Sequence, residues 1–155
     1  VINSDKVSIS FWMKTSQTTT GILTELSTNA TSGNNAFGVY INDVLANRIE
    51  IADNQSGLNI GNSATNINNN AWRHIVLTID RSLAGSQQNS IYVDGILSYV
   101  QNTTYQSYLN GNWGIFPLFI GQRGGSLYGF NGQMKLLKIF NYPLSTSEIT
   151  NLYNE

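Results

Sequence analysis

Nine carboxylates and a single histidine are the acid–base groups of this chain, and their spacing decides what they can do together. Cleaving a glycosidic bond takes two carboxyl groups facing each other across the substrate. On a β-scaffold, alternate positions of one strand share a face, so an even spacing brings such a pair together. The nearest approach to a cluster is Glu50 with Asp53. Their odd separation puts them on opposite faces of a regular strand. Glu25 and Glu50 meet only if separate strands pair in the right register. His74 lies inside the apolar run Trp72-Arg73-His74-Ile75-Val76-Leu77-Thr78-Ile79-Asp80, with no nucleophile or orienting acid at a suggestive spacing. It is expected to be structural. There is no cysteine, which removes disulfides, thiolate nucleophiles and thiolate metal ligands together. One histidine and no cysteine cannot furnish a zinc-type site. These residues do not point to an enzyme.

Two other chemistries remain open. Hard cations take six to eight oxygen ligands from carboxylates, amides and carbonyls. Asp43, Asp53 and Asn54 stand at predicted strand ends, so they are the candidate ligands for calcium (Ca2+). Asp and Asn also favour turns for purely local reasons. Sugars are held by aromatic faces stacking on their C–H surfaces, with amides and guanidinium groups bonding the hydroxyls. The segment from Asn102 to Arg123 offers that mixture in Tyr105, Tyr108, Asn110, Asn112, Trp113 and Arg123, with Tyr128 just beyond. Trp113 is flanked by a polar, glycine-containing loop, and Arg123 before Gly124-Gly125 is expected to reach outward. The competing reading has Trp113 and Tyr108 folding back to cap the molecule.

The elements that must carry these groups are legible in the patterning. At 155 residues with 41% hydrophobic content, the chain is expected to form one domain with a substantial core. Charged residues make up only 11%, against about 25% in ordinary domains. Eight basic and nine acidic residues produce no field to attract phosphates, so neither nucleic acid nor an anionic membrane is an expected partner. No apolar run approaches the roughly 20 residues of a membrane span, and no signal peptide opens the chain. It begins at Val1 almost directly on a strand, and is expected to be a piece of a longer protein. The sequons at Asn29, Asn54 and Asn102 are no more than this composition yields by chance and carry no information about secretion.

Alternation predicts strands nearly throughout. Val7, Ile9, Phe11 and Met13 form one face of the first. Ile22, Leu23 and Leu26 mark the second, Phe37, Val39 and Ile41 the third, and Ile49 and Ile51 the fourth. Asn62 to Asn70 reads as a loop. Trp72 to Asp80 reads as a strand covered on both faces. Asp94-Gly95 between two apolar runs predicts a tight type I′ hairpin. The long polar connection from Asn102 to Gly114 is of a length that functional loops often have. Strands resume at Ile115 to Gly121 and Gln133 to Asn141. Ser145 with Glu148 three residues later forms a capping box, and Leu144 and Ile149 occupy the staple positions of one short helix. The sum is an all-β antiparallel jelly-roll sandwich with one short C-terminal helix.

The order of Ile9-Ser10-Phe11-Trp12-Met13, the Trp72–Asp80 strand, Ile91-Tyr92-Val93-Asp94-Gly95, Leu118-Phe119-Ile120-Gly121 and Phe130-Asn131-Gly132 resembles the laminin-G/pentraxin-like branch of the concanavalin A-like jelly rolls. The resemblance spans Ile9 to Asn154 and implies a single domain over 1–155. It implies an extracellular module for carbohydrate recognition or adhesion, at a cell or virion surface, whose partner is a glycan, a polysaccharide or a surface protein. The alternative is a structural or protein-interaction module of a surface, fibre or virion protein. In that family the tryptophan opening the central strand, here Trp72, is a packing residue. Two departures stand out. Lys135-Leu136 replaces an acidic pair common after the Phe-x-Gly, and only six residues precede Val7, where many members carry a further strand pairing with the last one. An open edge is the expected consequence if that strand is missing.

Overall fold

The computed structural model describes residues 6–27, 37–53, 58–80, 82–83, 89–100, 117–123 and 127–155. Among them the chain forms β1 (Lys6–Thr15), β2 (Gly21–Leu26), β3 (Phe37–Ile41), β4 (Ile49–Asp53), β5 (Leu58–Asn62), β6 (Arg73–Asp80), β7 (Asn89–Val93), β8 (Ile96–Val100), β9 (Leu118–Ile120), β10 (Gly132–Phe140) and α1 (Thr146–Tyr153). Two five-stranded sheets result, β10-β1-β6-β7-β8 and β5-β4-β3-β2-β9, with every neighbouring pair antiparallel. The sandwich and its single helix are as the patterning predicts. No helix among the described residues is long and apolar enough to cross a membrane.

Period two fills the space between the sheets. Val7, Ile9, Phe11 and Met13 of β1 join Ile75, Leu77 and Ile79 of β6 and Ile91 and Val93 of β7 in one core cluster. Leu23, Leu26, Val39, Ile41, Ile49 and Ile51 meet them from the second sheet. At about 25 cal/mol per Å2 of apolar surface withdrawn from water, this burial is the main stabilising term. The other face of β6 is covered too, as predicted. Ile149 and Leu144 pack on Val76, with Tyr92, Phe140 and Leu152 around them.

Helix α1 begins where the capping box places it. Ser145 Oγ accepts the Glu148 amide, and the Glu148 carboxylate accepts the Ser145 amide at 2.8 Å. The Ser145 hydrogen bonds hold the Glu148 carboxyl below its ordinary pKa. Ser8 ties the approach to the helix to β1, its hydroxyl donating to the Tyr142 carbonyl and accepting from the Leu144 amide, both at 2.9 Å. Asp94 and Gly95 have φ of 53° and 76°, the pair of positive angles that a type I′ turn requires.

Three features depart from or add to the sequence reading. Leu58–Asn62 is a strand that the sequence analysis does not place, and it ends on Asn62, where the predicted loop begins. It is held by pairing with β4 and by a close packing contact, since a side chain at Gly61 would come within 2.2 Å of the Tyr99 ring. Trp72 is not in the core. It precedes β6 and remains 36% exposed, because the strand's outer face at this end lies beyond the reach of α1. The last strand is not regular either. Lys138 pairs with Ser10 and Lys135 with Trp12, so Leu136 and Leu137 together face Phe11. Leu136 has φ of 53°, a bulge conformation that a branched side chain adopts at a cost.

Candidate functional site

The outer face of the second sheet concentrates the groups that chemistry would need. Ile22 and Glu25, three residues apart on β2, share that face because the register slips between Ile22 and Thr24. Glu25 lies across from Gly38 and Ile22 across from Tyr40, while Tyr40 in turn faces Glu50 on β4. Strand pairing therefore brings both glutamates to one face.

They do not work together there. The Tyr40 ring leans along β3 over Gly38, where an added Cβ would lie 2.3 Å from it, and its hydroxyl donates to Glu25. Arg123 reaches the same carboxylate, with Nε donating to Oε1 at 2.7 Å and Nη2 to Oε2 at 2.5 Å. This fork geometry is the strongest form of a carboxylate ion pair. Burial and the neighbouring Glu25 push the Tyr40 hydroxyl far above the usual phenol range, while the hydrogen bonds to Glu25 hold Arg123 protonated. Glu50 turns the other way. Fully buried, its carboxylate accepts the Val44 amide at 2.8 and 3.0 Å and the Leu45 amide at 2.7 Å, in the β3–β4 turn. Burial raises its pKa against the pull of those amides. Each carboxylate is thus engaged by fixed donors of the protein itself.

Arg123 therefore differs from its expected role. It is 6% exposed and points inward, because Glu25 supplies a buried countercharge that neutral solvent-facing loops lack. What it presents outward is Tyr128. The guanidinium carbon lies 5.4 Å from the centroid of that ring, and Tyr128 is half exposed. Its backbone is held as well, since its carbonyl accepts the Ile22 amide at 2.8 Å and its φ is 53°. Arg123 and Leu127 exchange backbone hydrogen bonds at 3.0 and 3.1 Å, so the turn bearing Tyr128 is stapled to β2 and braced by a buried cation. Tyr105, Tyr108, Asn110, Asn112 and Trp113 lie outside the described residues.

The candidate calcium ligands are not brought together. Ile41 pairs with Ile49 and Phe37 with Asp53, so Asp43 beyond Ile41 and Asp53 lie at opposite ends of the β3–β4 hairpin. Four strand residues separate those ends, roughly 13 Å at 3.3 Å each. Asn54 lies outside the described residues. Among the described residues no three His, Cys, Asp or Glu side chains gather as a metal would require.

His74 behaves as a structural histidine. It is buried, its Nε2 lies 2.9 Å from Ser10 Oγ, and its backbone amide donates to Asp94 Oδ1 at 2.9 Å. Burial lowers its pKa. Its ring packs against both Trp12, at 5.2 Å, and Tyr153 of α1, at 6.0 Å. This aromatic group on the outer face of the first sheet was not anticipated from the sequence. The signal available was period two, which places Trp12 and His74 on one face of paired strands.

A family model described as the concanavalin A-like lectin/glucanases superfamily matches residues 1–150. No curated protein sequence matches the chain. Among solved structures, domain 4 of AbnA, an extracellular arabinanase of Geobacillus stearothermophilus in complex with arabinotriose, aligns with a TM-score of 0.68 and 18% identity over 99% of this chain and 68% of that one. The NanB sialidase of Streptococcus pneumoniae aligns at 0.67 and 19% identity, over 96% of this chain but only 24% of the sialidase. A heptameric SAP-like pentraxin of Limulus polyphemus aligns at 0.69 and 15% identity, over 97% and 70%. These likenesses establish a shared fold.

Proposed function

Because the chain belongs to the concanavalin A-like lectin/glucanases superfamily, we propose that it is a noncatalytic, extracellular carbohydrate-recognition or adhesion module. The observation that carries this reading is the state of the two glutamates on the outer face. A glycosidase needs one carboxyl free to protonate the leaving group and another free to attack or to activate water. Here Arg123 and Tyr40 occupy Glu25, and turn amides occupy Glu50. Such an arrangement stiffens a surface rather than turning over a substrate.

Recognition is assigned to the rim that Tyr128 occupies, with Tyr105, Tyr108, Asn110, Asn112 and Trp113 as the further contacts. A ring held by its backbone and by Arg123 loses little conformational freedom when a sugar stacks on it, and this preorganisation favours binding. The arabinotriose bound by the arabinanase domain makes arabino-oligosaccharides a first probe within a broad glycan panel. Titration in calcium and again in chelator is expected to give saturable, calcium-independent binding that weakens in Tyr128→Ala and Trp113→Ala while both variants keep the wild-type melting transition. Unchanged affinity in both folded variants would refute this placement.

A second reading has one observation in its favour. Leu118 and Ile120 of β9 and Leu136 of β10, the edge strands among the described residues, are exposed, and apolar edges invite another chain. A protein-interaction role predicts concentration-dependent assembly in light scattering and a blank glycan panel.

A further inference from the structure

The end of the first sheet that α1 leaves uncovered carries a second set of recognition groups, distinct from the Tyr128 rim. The Lys135 ammonium on β10 lies 4.6 Å from the centroid of Trp72 and 5.5 Å from that of Trp12. Trp12 in turn is stacked on Tyr153 of α1, with centroids 5.7 Å apart and planes 17° apart. Lys14 falls on the same face two residues beyond Trp12, opposite Gln133. The result is a row of aromatic rings with the Lys135 ammonium against it and Lys14 on the same face of the sheet.

No carboxylate among the described residues compensates the charge of this patch. Among the described residues, Lys6, Arg73, Arg123 and Lys138 each pair with a carboxylate. Lys14 and Lys135 are in no ion pair among those residues, although the chain as a whole is nearly neutral. Two adjacent lysines without acidic partners attract an anion, and the exposed indole beside them offers a flat apolar face. One ligand class satisfies both. We propose that Trp72, Lys135 and Lys14 form a binding surface for an acidic saccharide, in which a sugar ring stacks on Trp72 and its carboxylate or sulfate sits between the lysines.

The local packing supports this assignment. A lysine free in solvent loses rotamer freedom when it binds an anion. Lys135 is already drawn to the two indoles by cation–π attraction, so its ammonium is positioned before any ligand arrives. Trp12 is fixed by His74 and Tyr153. The surface stands whether or not the Tyr128 rim binds a neutral glycan.

The test is calorimetric titration of the 155-residue chain with four probes: an oligogalacturonate, a sulfated oligosaccharide, a neutral oligosaccharide of equal length and a polyglutamate peptide. Binding of at least one acidic saccharide is expected, weakening with added salt, with neutral sugar and peptide bound less tightly at this surface. Trp72→Ala and the double change Lys14→Gln/Lys135→Gln are each expected to weaken it by roughly tenfold, equivalent to about 1.4 kcal/mol. Tyr128→Ala is expected to leave it unchanged, which separates this surface from the rim. Whether uronate or sulfate binds more tightly identifies the anionic group. No binding of either acidic saccharide, polyglutamate binding of equal strength, or full affinity in the folded lysine double variant would overturn the proposal.

Discussion

The two sheets treat charge in opposite ways on their outer faces. On the second sheet, Glu25, Arg123 and Tyr40 are buried and bonded to one another, and Glu50 is sealed by turn amides. On the uncovered end of the first, Lys135 is exposed against Trp72 and no carboxylate answers it among the described residues. Polar groups that satisfy each other within the fold have little left for a ligand, whereas groups left half satisfied at the surface do. The chemistry-bearing residue types of this chain are thus concentrated where they hold structure. Its exposed aromatic and cationic groups are the ones on which the two proposed recognition surfaces draw.

The sharpest way to break this comparison is to remove one partner of the buried pair. Arg123→Ala leaves the Glu25 carboxylate buried without its countercharge, and the expected loss is about 3–5 kcal/mol in urea unfolding. Replacing both partners together, Arg123→Met with Glu25→Leu, is expected to recover most of it. If the single change were silent, the pair would not be structural. Next in size is Gly38→Ala, which drives a methyl into the Tyr40 ring. Overpacking of that kind costs about 1–3 kcal/mol, with Tyr40 displaced from Glu25. Ser145→Ala removes the helix cap and is expected to cost about 1 kcal/mol, read as a lower melting temperature with α1 frayed from β6.

His74 supplies a pH signature for the first sheet. Its folded pKa lies below the unfolded value, so the unfolded chain takes up the proton more readily. Its contribution is complete above about pH 6.5 and is lost as pH falls from there through the lower folded pKa. Thermal melts between pH 7 and pH 4 are expected to show this decline, and His74→Gln is expected to lack this component of it. The smallest effect on stability belongs to Lys135→Gln, within about 0.5 kcal/mol of wild type as for most exposed sites. A large destabilisation there would make Lys135 a structural residue and erase the contrast between the two faces.

Much of the architecture was legible because it follows from local rules. The core face of β1, the Asp94-Gly95 turn and the Ser145/Glu148 cap each depend on residues close in sequence. The site depended on register, which is not local. Glu25 and Tyr40 meet only because a slip at Leu23 re-aims β2, and Arg123 reaches Glu25 from 98 residues away. Nothing near Arg123 in the sequence reveals that a buried carboxylate awaits it, so its glycine-flanked setting suggested an outward reach. Trp72 misled for a related reason, since the end of α1 decides whether it is covered. The many asparagines read as polar filler, yet several carry specific bonds. The Asn42 and Asn68 side chains both donate to the Gln17 carbonyl, at 2.9 and 3.0 Å, and the Asn47 amide donates to Asn42 Oδ1 at 2.6 Å. Asn42 and Asn47 hold φ of 55° and 66°, which asparagine tolerates better than most residues.

The most direct test of the central claim follows binding and cleavage on one polysaccharide panel. The folded chain is incubated with each polysaccharide, and bound protein and released reducing ends are measured together. Saturable binding to at least one polysaccharide with no release of reducing ends is the predicted result. Release of reducing ends that disappears in a folded Glu50→Gln variant would contradict it, because it would require a carboxylate the turn amides have not sealed.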